Sequence, residues 1–190
     1  MPLTLPPIHL PITHEDVDQL AAALGEVIPR FAIRYKDESP LQRLIGRLVS
    51  PFNSEYMTRF TTVMFGKVYF PSRAWCDEMG PEAVYSILRH EAVHLLDAKH
   101  FPVIFHLSYL FLLPAGLTAR AWWEWRGYVE TMRVEVALRG YVPEHHIEWI
   151  AGCFTGPAYL FMWPFPKQIR RALRRKAKQL QAQREAQGSP

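Results

Sequence analysis

The residues best suited to chemistry form the run His90-Glu91-Ala92-Val93-His94. Histidines four apart project from one face of a helix. Imidazoles so placed bind one zinc ion, and the acid beside the first stands next to that ion. A carboxylate there takes a proton from water that the metal has acidified, leaving a nucleophile at neutral pH. The reaction this supports is hydrolysis of an amide. On the same helix Val84, Leu88, Ala92 and Leu95 form an apolar stripe beside Ile87, His90, Glu91 and His94. Burying two histidines and a glutamate without a partner would be costly, which favours a shared ion.

A catalytic zinc site takes three protein ligands and keeps one position open. Three side chains can supply the third: His100, Glu124 and Glu130. Glu130 has Arg126 four before it and Arg133 three after it, so a helix-face ion pair explains it. Glu124 has only Arg120 and sits among Trp122, Trp123 and Trp125, where a half-buried carboxylate wants a metal or a donor. Asp97, one turn after His94, can hold a ligating imidazole in one tautomer or pair with a cation on its own helix. Tyr128, His145 and His146 are candidate donors to a developing oxyanion, or else a core tyrosine and two helix-start histidines.

The elements that must position these groups are legible in outline. Thr13 and Asp16 open a helix in the manner of a capping box, followed by Val17, Leu20, Ala21, Leu24 and Val27 at helical spacing. The alternating stretch 31–36 reads as a strand, and Ser39-Pro40 starts a second helix. Two more strands, 59–65 and 67–70, flank Gly66. Pro71-Ser72 ends that pair, with room for a short helix after it. Gly80-Pro81 starts a long helix to about Lys99. Another covers 118–139, with a core stripe of Trp122, Trp125, Val129, Met132 and Val136 and with Gly140 as its stop. Segments 144–151 and 166–187 are also helical. Helices around a small sheet in the first half make an α+β arrangement.

These motifs resemble known ones. His90-Glu91-x-x-His94-x-x-Asp97-x-x-His100 is similar to the metzincin motif, but it has Asp97 where that motif has glycine, and no Met-turn follows. HExxH on one helix with Glu124-Trp125-Arg126-Gly127-Tyr128 on a later one resembles the gluzincin branch of the zincin metallopeptidases. The strands ending in Val68-Tyr69-Phe70-Pro71 resemble the zincin sheet ahead of its active-site helix. The likeness covers roughly residues 58–140 and points to no named family with a known substrate. It implies a zincin-like α+β fold, mostly helical, with a small mixed sheet before the HExxH helix. It implies zinc held by His90, His94 and Glu124, Glu91 as general base and proton shuttle, and a peptide or protein substrate.

Composition bounds the rest. The 190 residues are 49% hydrophobic, which excludes a disordered chain. Residues 167–190 hold eight basic side chains and one acid, whereas the other residues hold 14 bases and 17 acids. A mildly acidic body with a basic end argues against a uniformly basic nucleic-acid-binding domain. The division expected is a metallopeptidase domain over 1–165 and a basic amphipathic helical tail over 166–190. That tail can dock an acidic partner or membrane surface, or simply lie on the body by Ile169, Leu173, Ala177 and Leu180. Two cysteines, Cys76 and Cys153, make no disulfide framework. The proline-rich start lacks a signal peptide's pattern, so a cytoplasmic protein is expected.

From His100 to Ala119, twenty residues carry no Lys, Arg, Asp or Glu. Pro102, Pro114 and Gly116 cut the uninterrupted apolar part to 103–113, nearer a buried helix than a membrane span. A single crossing would also place His94 and Glu124 on opposite sides of a bilayer, so under the gluzincin likeness a buried helix or a substrate-side lid is expected. Two other classes stay open: a non-catalytic structural or interaction protein that keeps the metal site, and a membrane-associated protein.

Overall fold

The computed structural model describes residues 5–51, 53–110, 114–156 and 161–188. The chain divides into two compact units, 1–96 and 97–190.

The first unit opens with α1 (His14–Val27). The Asp16 carboxylate accepts hydrogen bonds from the Thr13 amide and hydroxyl, satisfying groups that a helix start leaves over. Val17, Leu20 and Leu24 are buried, as their spacing predicts. Next come β1 (Ala32–Tyr35) and α2 (Pro40–Val49), where the Ser39 hydroxyl accepts from the Gln42 amide. β2 (Thr62–Met64) and β3 (Lys67–Phe70) complete a mixed sheet in the order β1-β3-β2. β1 runs parallel to β3, with Ile33 opposite Val68, and β2 runs antiparallel to it, with Val63 opposite Val68. The sequence predicts β2 from residue 59, but residues 54–59 form turns.

Phe65 and Gly66 link β2 to β3 with positive φ angles of 52° and 77°. Two successive left-handed residues are the hairpin turn whose twist suits the strands. A side chain at residue 66 would also meet the Pro29 carbonyl oxygen at 2.8 Å.

α3 (Arg73–His100) is kinked at Gly80, where φ 75° and ψ 167° break the helix just before Pro81. The short helix after Ser72 and the long one from Pro81 therefore meet end to end. The Ser72 hydroxyl accepts from the Trp75 amide at the start. Val84, Leu88, Ala92 and Leu95 are buried, so the apolar stripe faces inward.

In the second unit, α4 (Pro102–Leu110) leads to α5 (Pro114–Arg139), α6 (Glu144–Thr155) and α7 (Pro166–Ala186). α5 stops at Gly140, which has φ 83°. One apolar cluster joins Val129, Met132 and Val136 of α5, Ile150 and Phe154 of α6, and Ile169, Leu173 and Leu180 of α7. α7 is thus part of this core, while its outer face carries the basic side chains. Arg170 pairs with Glu148 at 2.7 Å, and Arg174 bridges Glu144 and Glu148.

Two expectations for this unit shift. Trp122, assigned to the α5 core stripe, is 50% exposed, and the buried tryptophan is its neighbour Trp123. The apolar stretch 103–113, expected as a buried helix or a substrate-side lid, is helical to residue 110 and shows Val103, Ile104 and Leu107 on its surface, so it is not a fully buried helix. Residues 111–113 of that stretch lie outside the described residues. No helix among the described residues is long and apolar enough to cross a membrane.

Candidate metal centre

His90 and His94 stand one turn apart on α3, as their spacing requires. Their Nε2 atoms lie 3.1 Å apart, with the rings nearly perpendicular at 73°. Two nitrogens bound tetrahedrally to one zinc at the usual ~2.0–2.1 Å would sit about 3.3 Å apart. The pair is therefore close to the spacing that a shared ion needs. His94 is buried and His90 half-buried.

Among the described residues, the ligand atoms of His90, His94 and Glu124 all lie within 4.8 Å of one another, so this group could hold a metal ion. Two neutral imidazoles and a carboxylate are a donor set that suits zinc. Glu124 is 6% exposed. His100 and Glu130 do not join that group. His100 is exposed, with its ring 6.5 Å from that of Phe101. Glu130 accepts from Arg133 at 2.6 Å, the helix-face pair that its spacing predicts, although the carboxylate is buried rather than solvated.

Asp97 is buried and pairs with Arg126 of α5 at 3.0 Å. Tyr128 is a buried core tyrosine, its ring 5.6 Å from Phe154 and 5.8 Å from Trp149. His145 is exposed, and His146 reaches Glu135 at 3.4 Å. Hydrogen bonds from His146 and Arg139 outweigh burial and hold the Glu135 carboxyl below its usual range.

Glu91 is half-buried between the two histidines on α3. Within the same unit its charge acts on Lys36, at the end of β1. Lys36 is wholly buried: its Nζ donates to the Tyr56 carbonyl at 2.7 Å and sits 3.6 Å from the centre of the Tyr56 ring. Burial pushes its ammonium down to about 7, with Glu91 pulling the other way. Tyr56 in turn donates to Gln42, which is also buried. Lys36 carries no signal of this role in the sequence, where it reads as an ordinary strand-end cation. Only the tertiary fold buries it.

Arg89, preceding His90, is buried too, donating to the Pro6 carbonyl at 2.6 Å and the Tyr85 hydroxyl at 3.0 Å. It anchors the extended N-terminal segment to α3 beside the histidines. Both cysteines are free thiols. Burial pushes Cys76 up to about 11 and Cys153 upward as well, so neither is a nucleophilic thiolate at neutral pH.

No protein-family model, no curated protein and no solved structure matches this chain.

Proposed function

We propose that the chain is a zinc-dependent metallopeptidase of zincin-like fold, with His90, His94 and Glu124 as ligands and Glu91 as general base. The observation that carries this reading is the approach of those three donor groups, with Glu91 next to His90 on the same helix. The mixed sheet before α3 supports it as well. A bound zinc ion supplies Lewis acidity, lowering the pKa of water and polarising a carbonyl.

The protein's own contribution is orientation and proton transfer. The rigid turn between His90 and His94 fixes both nitrogens without a loop to order. Glu91 accepts a proton as the water oxygen bonds to the scissile carbonyl carbon. The same carboxyl returns that proton to the leaving nitrogen as the carbon–nitrogen bond breaks.

The test is metal analysis of purified protein combined with cleavage of a peptide library. Wild type should hold stoichiometric zinc and cleave. Glu91→Gln should keep the metal and lose activity by roughly 10²–10⁴-fold, the usual worth of a positioned acid–base group. Zinc in a wild type that cleaves nothing would favour a structural or interaction protein that keeps the site. Absence of zinc, with His90→Ala unchanged in stability, would sink the metal assignment.

A further inference from the structure

Isolated apolar side chains on a surface are ordinary, whereas a contiguous group of them marks a contact. Such a group surrounds α4. Val103 is 67% exposed, Ile104 60%, Leu107 44%, Phe101 46% and Trp122 50%. Phe105 of the same helix is buried against Trp123, with ring centroids 5.4 Å apart. Phe101 and Trp122 flank that same Trp123 at 6.0 and 4.5 Å. α4 is thus held along one edge by α5. Val103, Ile104 and Leu107, at helical spacing, form the face turned outward.

The chemistry around this face selects its occupant. A protein interface sets an apolar centre inside a polar rim. Here the sequence has no charged residue from His100 to Ala119. Beyond it stand the exposed cation Lys99, the half-buried Arg120 and, in space, Arg126, whose guanidinium lies 5.0 Å from the centre of the Trp122 ring. An apolar segment with aromatics at its margin and cations beyond them fits a phospholipid surface, where rings sit at headgroup level and cations meet phosphate. The nine residues of α4 span about 14 Å, under half of the ~30 Å hydrocarbon core. The helix can therefore enter a bilayer but not cross it.

We propose that the exposed face of α4 docks in the interfacial layer of a phospholipid bilayer. Val103, Ile104 and Leu107 meet the acyl boundary, and Phe101 and Trp122 lie at headgroup level.

Flotation of the full-length protein with vesicles of phosphatidylcholine mixed with phosphatidylglycerol tests this. Wild type should float at low and at high salt, because apolar burial is not screened. Replacing Val103→Ser and Ile104→Ser together should weaken vesicle binding at least ~10-fold. Both side chains are mostly exposed, so circular dichroism should not change. Brominated acyl chains give a readout on the unaltered protein: they should quench its tryptophan fluorescence, and Trp122→Phe should remove most of that quenching.

Four results would overturn the proposal. Wild type could stay out of the floating fraction, or the double variant could float equally well. Binding that vanishes at high salt without bromine quenching would indicate attraction to basic side chains alone. A wild-type dimer that the double variant splits, with no vesicle binding, would assign the face to a second copy of the chain.

Discussion

Glu124 and Glu130 sit six residues apart on α5, both buried, and differ in what they meet. Glu130 has Arg133 at 2.6 Å, whereas Glu124 belongs to the group with His90 and His94. Glu124→Ala should lower zinc affinity by more than ~100-fold, because losing even an outer partner of a ligand costs 10–100-fold. Glu130→Ala and His100→Ala should leave that affinity within a few-fold, as measured by competition with a chelator. HExxH is readable in sequence because both histidines belong to one helix turn. The preference for Glu124 comes from weaker grounds: only one nearby arginine and three tryptophans. Lys36 is illegible, because nothing within a few residues of it announces burial.

That lysine makes its own prediction. In the fold its pKa is pushed down to about 7 from the ordinary 10.5. Between those values the unfolded chain holds a proton that the folded chain has lost, so stability rises with pH across that window. Below about 7 both states are protonated and the cost of burying the ammonium is present in full. Above 10.5 both are neutral and that cost is gone. Lys36→Met should abolish this contribution. Urea unfolding at pH 7 and pH 10 should show wild type gaining stability relative to the variant on going to the higher pH. An equal gap at both pH values would refute it.

At the scale of elements, burial on more than one side blurs the apolar stripe of α5. Val129, Met132 and Val136 enter the cluster with α6 and α7, yet Trp123, Glu124, Glu130 and Val134 are buried too. A helix covered on several faces has no single stripe to read, so periodicity does not distinguish Trp122 from Trp123. α1 and α7, each with one buried stripe, were legible residue by residue. The β2–β3 turn was legible for another reason: Gly66 is the residue type its backbone requires. Gly66→Ala should destabilise the first unit by about 1–3 kcal/mol, from left-handed strain and contact with the Pro29 carbonyl. Thermal unfolding measures this. Gly46→Ala offers a comparison, since its added carbon meets the flexible Met57 side chain and not backbone.

For the whole molecule, the charge division and the packing division do not coincide. The basic end, read as a tail beyond a domain of residues 1–165, lays Ile169, Leu173, Ala177 and Leu180 into the core of the second unit. Its charges serve partly within that unit, through Arg170 and Arg174 on the α6 glutamates and Arg184 on the Val136 carbonyl. The exposed ion pairs contribute little, because water and salt screen them. The buried side chains contribute far more, since truncating one core Leu or Ile to Ala costs about 2–5 kcal/mol. Removing α7 deletes all four at once and exposes Val136, Ile150 and Phe154 to water. That loss is comparable to the ~5–15 kcal/mol that holds a typical domain folded. A chain ending at residue 165 should therefore lose cooperative unfolding of α5 and α6. In hydrogen exchange their amides should lose protection, while α1 and β3 of the first unit keep theirs. Full protection of α5 and α6 in the shortened chain would show that α7 is an appendage after all. Leu173→Ala, which leaves every α7 charge in place, should reproduce part of the loss and so separate packing from electrostatics.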